Sequence, residues 1–339
     1  MPTIKIDKLA GGPITFNYTI STPTSSSAKK IDPKLPTVLF LHPVYVPSQA
    51  FNFQFSDPKI RQFNLVAVDM RAHGETKGKV PKDFDQEMAA EDMAKFMTKM
   101  KLPPCHIFAL SLGTIIALQM ALSHPELIAS LFLVSPLGLE EPAEAAEGRQ
   151  AIYDAWAEGW RTNTPDQEEL AYAVRGALEL GFYDRNNTFV QAIVACILPL
   201  CMKAWNTAHL DDYRLTTLDI FLNRRSLTIE ELKKIKVPVK LIQGLEDVAY
   251  PREYAEEFLH RLQDAGVDAS LESIPGAPHF ACIENHATVN PIFHEFVVQH
   301  TEGRVPPTTK ETLSPWESVL KKKGWVKEPA VLGDDSDDE

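Results

Sequence analysis

Apolar and polar positions follow one rhythm at both ends of this chain and another in its middle. Residues 12–23, GPITFNYTISTP, alternate with the period of a half-exposed strand. After the polar loop TSSSAKKIDPK comes TVLFLHP (37–43), a short unbroken apolar run closed by Pro43, which predicts a buried strand. The runs FNLVAVDMRAHG (63–74), CHIFALS (105–111) and ASLFLVSP (129–136) repeat that signature. Between them, DQEMAAEDMAKFMTKM (85–100) places Met88, Met93, Phe96, Met97 and Met100 at helical spacing, a stripe that faces a core. GTIIALQMALSHP (113–125) reads as a helix stopped by Pro125. Strands alternating with helices predict a mostly parallel, twisted sheet flanked by helices.

From Leu137 to Lys236 the strand rhythm disappears. EPAEAAEGRQAIYDAWAEGW, PDQEELAYAVRGALELGF, NNTFVQAIVACILPLCMKAW and LDDYRLTTLDIFLNRR all carry helical patterns. The rhythm resumes with VPVKLIQG (237–244), a helix in REYAEEFLHRLQDAG, a strand in ASLESIPG and a helix in TVNPIFHEFVVQH. The organisation predicted is a core in two parts, 1–136 and 237–301, interrupted by an all-helical insertion at 137–236. An extension at 302–339 follows. Within it, SPWESVLKKKG predicts a short helix with Ser314 as N-cap, Pro315 at its first position and Gly324 as its stop. Trp316 and Leu320 would share one face of it. LGDDSDDE reads as a disordered end.

Composition narrows the partners. The net charge is −12, but Asp334, Asp335, Asp337, Asp338 and Glu339 supply five of those charges, so the body is only mildly acidic. An acidic body without a basic stripe argues against nucleic-acid partners. Cys105, Cys196, Cys201 and Cys282 form no Cys-x-x-Cys pair and have no His-rich neighbourhood, so free thiols are expected and no metal site. MPTIKIDKLAGG lacks the apolar stretch of a secretory signal, and no run approaches the ~18 residues of a membrane span. A soluble, cytoplasmic protein is expected, with the oligomeric state left open.

One hydroxyl stands out. Ser111 follows a predicted strand and precedes a predicted helix, with small residues, Ala109 and Gly113, two positions away on either side. A tight strand-to-helix turn holds a serine in a strained conformation and lifts its Oγ above the sheet edge. A serine hydroxyl becomes a nucleophile when a histidine, itself held by a carboxylate, removes its proton. Asp247 follows the strand VPVKLIQG, and His279 follows ASLESIPG. All three residues thus fall just beyond the carboxyl ends of strands, where open α/β sheets carry their sites. Glu246 and His286 are the rivals of Asp247 and His279. The Leu112 N–H, at the start of the helix after Ser111, is a candidate oxyanion donor.

These stretches, LFLHP, VAVDMRAHGET, ALSLGT, QGLEDVAYP and IPGAPHF, make the chain resemble the α/β-hydrolase superfamily, in its esterase, lipase and haloperoxidase-like branch, over about residues 12–300. The resemblance implies the α/β-hydrolase fold and makes 137–236 a helical cap over the nucleophile. It places the second oxyanion donor at the Val44 N–H, although Pro43 stands where relatives usually have Gly. Asp69, Arg71 and His73 map to a structural turn, with Ala72 in place of another usual Gly. Cap residues Trp156, Trp160, Phe182, Phe189 and Trp205, with Tyr45 beside Val44, are the candidate lining of an apolar substrate pocket.

The expected activity is hydrolysis of a small to medium hydrophobic carboxylic ester by Ser111, Asp247 and His279, without metal or organic cofactor. A lactonase, thioesterase, acyltransferase, carbon–carbon bond hydrolase or hydroxynitrile lyase would use the same triad. A small-molecule receptor that kept the fold is the rival from another class. A further possibility is that the C-terminal extension docks a partner through Trp316 and Trp325.

Overall fold

The computed structural model describes residues 2–301, 305–308 and 312–327. Among them, eight strands form one sheet in the order β1-β2-β4-β3-β5-β6-β7-β8. They are β1 (Thr3–Ile6), β2 (Ile14–Ser21), β3 (Thr37–Leu41), β4 (Asn64–Val68), β5 (Cys105–Leu110), β6 (Ile128–Val134), β7 (Val239–Gly244) and β8 (Ala269–Ile274). β1 and β2 pair antiparallel and β2 joins β4 antiparallel, while every other pairing is parallel. β1 was not foreseen, because four residues at an edge carry too short a pattern to read. β3 lies between β4 and β5, so the chain leaves it in one direction and comes back on its other side. Such a switch point opens a crevice at the carboxyl ends of the two flanking strands. The loops after β3 and β5 carry Val44 and Ser111.

The central strands are buried along their length, which is why they read as continuous apolar runs. On one face Phe40, Phe108 and Phe132 stack across neighbouring strands at 5.1 and 5.2 Å. Phe293, from helix α7 (His286–Gln299), meets Phe108 edge-on at 4.8 Å. On the other face, Leu39, Ile107 and Leu131 pack with side chains of α1 (Gln86–Met100) and α2 (Leu112–Ser123). Asp85 caps α1 by accepting from the Met88 N–H, and the predicted Met/Phe stripe of that helix packs into this core. Helix α6 (Arg252–Asp264) connects β7 to β8.

Between β6 and β7 the described chain is helical, with no strand: α3 (Ala143–Gly159), α4 (Gln167–Gly181), α5 (Thr188–Ala204) and a broken stretch at 210–222 with a π-helical turn, Leu215–Asp219. No single described helix is long and apolar enough to cross a membrane.

The extension forms α8 (Glu317–Lys322), two residues shorter at its start than its sequence suggests. Ser314 still helps to open it, its Oγ accepting from the Trp316 N–H at 3.2 Å. Trp316 and Trp325 are not free anchors for a partner. Trp316 is 1% exposed against Phe55, and Trp325 packs on Phe189 of α5 at 5.4 Å. The extension therefore covers an apolar face of its own core and touches the helical insertion. The end LGDDSDDE (332–339) lies outside the described residues.

Candidate active site

Ser111 sits between β5 and α2 with φ 50° and ψ −113°. A side chain held at positive φ costs on the order of 1–3 kcal/mol, and here the surrounding packing imposes it. The turn is feasible because Gly113 has no side chain: a Cβ there would lie 2.2 Å from the Leu41 carbonyl oxygen. The Thr114 hydroxyl donates to the Ser111 carbonyl at 2.7 Å and accepts from the Leu137 N–H at 3.0 Å, tying the turn to the start of the insertion.

The three predicted residues meet. His279 Nε2 lies 2.8 Å from Ser111 Oγ, and His279 Nδ1 lies 2.7 Å from Asp247 Oδ2. An ionised carboxylate only accepts, so the Nδ1 proton points at Asp247 and Nε2 is left to accept from the serine hydroxyl. Asp247 Oδ1 is occupied by the Ala249 and Tyr250 N–H groups, both at 3.0 Å. Ser111 and His279 are 0% and 1% exposed. The rivals stand apart: Glu246 is exposed, and His286 stacks on Phe53 at 3.9 Å.

The loop after β3 brings its own device. His42 Nδ1–H donates to the Pro43 carbonyl at 2.7 Å, and His42 Nε2 accepts from the Met70 N–H at 2.9 Å. Both bonds require a neutral ring, and burial pushes its pKa down to about 4, against a smaller upward pull from the Pro43 carbonyl. In a trans peptide the C=O and the N–H point in opposite directions. Holding the Pro43 carbonyl therefore fixes the Val44 N–H as well, so proline at position 43 is accommodated. The next residue, Tyr45, has φ 68°, a rare conformation for a bulky side chain. Among the described residues, neither the Val44 nor the Leu112 N–H has a backbone carbonyl or side-chain acceptor. Both donors are free for a ligand oxygen.

The turn at Asp69, Arg71 and His73 is structural. Asp69 accepts from Asn17, Ser48 and Glu75, and Arg71 forms a buried pair with Asp92 at 2.7 Å. Ala72 adopts φ 61° where a glycine would be unstrained. Burial, with His42 nearby, pushes the His73 pKa down to about 3.

Further residues around the triad were not singled out in the sequence. Gln243 Nε2 donates to the Tyr250 carbonyl at 2.7 Å and lies 3.3 Å from Asp247 Oδ2. Tyr250 stacks on the His279 ring at 5.2 Å, and its hydroxyl donates to Glu141 and accepts from Arg149 at 2.9 Å. Glu141 also accepts from Arg149 Nε at 2.7 Å and from Arg224. Burial would raise the Glu141 pKa, but the guanidiniums of Arg149 and Arg224 outweigh it and hold the carboxyl below the usual range. Glu141 and Arg224 flank the two ends of the insertion, so both ends are tied to the loop that carries Asp247. A trace of this was readable: Arg149 shares a helix face with the apolar Ile152 and Trp156.

Beside the triad, Phe280 and Tyr45 open onto an apolar chamber of about 60 Å³ under the insertion. Tyr45, Trp156, Phe182 and Trp205 line it as expected. Trp160 and Phe189 do not. Trp160 is the C-cap of helix α3, its N–H still bonded to the Trp156 carbonyl at 3.2 Å one turn back, and its buried indole lies outside the chamber wall. Phe189, at the start of α5, packs instead on Phe53 at 4.4 Å and on Trp325. Cys201 also borders the chamber, and all four cysteines are unpaired.

Comparison with known proteins agrees with this architecture. The pimeloyl-[acyl-carrier protein] methyl ester esterase of Neisseria meningitidis is 27% identical over 250 residues, 72% of this chain and 73% of its own length. Ethanol acetyltransferase 2 of Hanseniaspora uvarum is 29% identical over 106 residues, covering 31% of this chain and less than a third, 30%, of that protein. A thermophilic esterase from Thermogutta terrifontis has the same fold, with a TM-score of 0.67 at 17% identity over 88% of this chain and 99% of that one. The family model of the alpha/beta hydrolase fold matches residues 45–286, well over half of the sequence, and the chain belongs to that family.

Proposed function

We propose that the protein is a serine hydrolase that cleaves a small to medium hydrophobic carboxylic ester through an acyl-enzyme. The observation that carries this reading is the continuous hydrogen-bond relay Ser111–His279–Asp247; Phe280, next to His279 in the chain, lines an apolar chamber. Ser111 Oγ attacks the ester carbonyl while His279 Nε2 takes its proton. The carbonyl oxygen becomes an oxyanion, stabilised by the Leu112 and Val44 N–H groups. Asp247 holds the imidazolium, which protonates the departing alcohol. Water, activated by the same histidine, then releases the acid and restores Ser111. The insertion acts as a cap that presents the apolar part of the substrate to this machinery. The reaction needs no metal or organic cofactor.

A second reading is transfer of the acyl group to an alcohol in place of water. Acetyltransferases also stand among the relatives. The two readings differ in the acceptor alone.

The test is Ser111→Ala. Turnover of p-nitrophenyl butyrate should fall by several orders of magnitude while the melting temperature is retained. A fluorophosphonate should label the wild-type protein at Ser111 alone. Labelling elsewhere, or hydrolysis that survives the substitution, refutes the reading. Adding ethanol and measuring ethyl butyrate against butyrate separates transfer from hydrolysis.

A further inference from the structure

Helices α3 and α4 of the insertion pack along a seam at Ile152 and Gly176. A Cβ on Gly176 would lie 2.9 Å from Ile152 Cγ1, so the bare glycine lets the two helices close over that side chain. Ile152 is 5% exposed and lies in the wall of two cavities at once. Inward is the apolar chamber of about 60 Å³ beside the triad. Outward is a wider groove of about 340 Å³, bordered by Gly148, Ala151, Tyr172 and Arg175, and by Val248 and Ala249 of the loop after Asp247. Among the described residues, no other lines both.

We propose that Ile152 is the stop that sets the longest unbranched aliphatic chain the chamber accepts, and that the outer groove is the room a longer chain would enter without it. This rests on the ester-hydrolase reading for its chemistry, but not for its geometry. A water-sized group needs about 10–15 Å³, so a chamber of about 60 Å³ has room for about four to six such groups. The substrate class is therefore an ester with a short straight chain of about that many carbons. Ile152→Ala removes the three outer carbons of the shared wall and joins chamber to groove.

The control is Ile197→Ala, which deletes the same kind of side chain from a chamber wall that does not border the groove. It enlarges the chamber but leaves the stop in place. Two p-nitrophenyl ester substrates, butyrate and decanoate, report the effect on kcat/KM. Ile152→Ala should raise the decanoate-to-butyrate ratio about tenfold or more, and Ile197→Ala by less than about threefold. Melting curves run alongside, and Ile152→Val gives a milder step of the same sign if the alanine variant is unstable.

A second measurement needs no turnover. In a Ser111→Ala background, binding of n-alkanols from butanol to decanol is read by the fluorescence of Trp156 and Trp205, which line the chamber. Affinity should stop rising near hexanol with Ile152 present and continue to decanol with Ile152→Ala. Equal profiles for the Ile152 and Ile197 variants in both measurements overturn the proposal. A shifted alkanol profile in a protein that hydrolyses no ester would uphold the stop and reject the ester chemistry alone.

Discussion

Replacing Asp247 by asparagine tests the site most sharply, because the surroundings dictate how the new amide must lie. Oδ1 of Asp247 accepts two buried backbone N–H groups, from Ala249 and Tyr250, both at 3.0 Å. An asparagine can satisfy both only with its carbonyl oxygen in that place. Turning the amide over would set its NH₂ against two buried donors, at about 1–3 kcal/mol for each group left unsatisfied. Two such groups make about 2–6 kcal/mol, so the unturned amide dominates. Its NH₂ then occupies the Oδ2 position, 2.7 Å from His279 Nδ1. A donor there makes Nδ1 the acceptor and moves the ring proton to Nε2, which now points its hydrogen at Ser111 Oγ. The base has become a donor toward the group it should deprotonate. In the trypsin-type triad the same exchange costs about 10⁴ in kcat, near 5 kcal/mol, and a loss of that order is expected here. Initial rates on p-nitrophenyl butyrate, with circular dichroism and melting as controls for folding, measure it. Glu246→Gln, at the exposed neighbour, should change the rate by less than about threefold, as surface substitutions do. A folded Asp247→Asn enzyme that loses less than tenfold would refute the tautomer argument and with it the role of Asp247.

Two further outcomes follow from burial. His42 and His73 are held neutral, with pKa values pushed down to about 4 and about 3, against about 6.5 in an unfolded chain. Below pH 6.5 the unfolded state therefore binds more protons, so stability is full above that pH and is lost as pH falls toward 4. His42 alone should remove about 2 kcal/mol between pH 7 and pH 5, and urea unfolding of His42→Gln at both pH values should show a correspondingly smaller drop; an unchanged drop would mean that His42 is not the group titrating. Trp316→Ala should lower unfolding stability by about 3–5 kcal/mol, because the indole is 1% exposed against Phe55; a chemical-denaturation loss below about 1 kcal/mol would show that the extension is not part of the core.

The sequence alone determined the parts of this protein that depend on local pattern. Short unbroken apolar runs such as TVLFL and CHIFAL, bounded by turn residues, read as strands buried on both faces, and the helical periods between them point to a parallel sheet. Ser111, Asp247 and His279 were legible because each follows a strand with a distinctive ending, and strand ends in such a sheet converge. The loss of strand rhythm from 137 onward marked the helical stretch between β6 and β7 for the same reason. Tertiary structure decided whatever depends on which faces meet. Trp156 and Trp160 look equivalent in sequence and stay one helical turn apart, yet only Trp156 reaches the chamber. Trp316 and Trp325 left partner docking open as one possibility, and they are buried by residues more than a hundred positions away. Tyr250, Gln243, Glu141 and Arg149 acquire their roles through contacts up to about a hundred residues apart, as in Tyr250 to Glu141. A one-dimensional pattern records the period of an element and its ends. Which side chain it turns toward a distant neighbour is fixed only when helices and strands pack, because close packing admits few arrangements of a given set of faces.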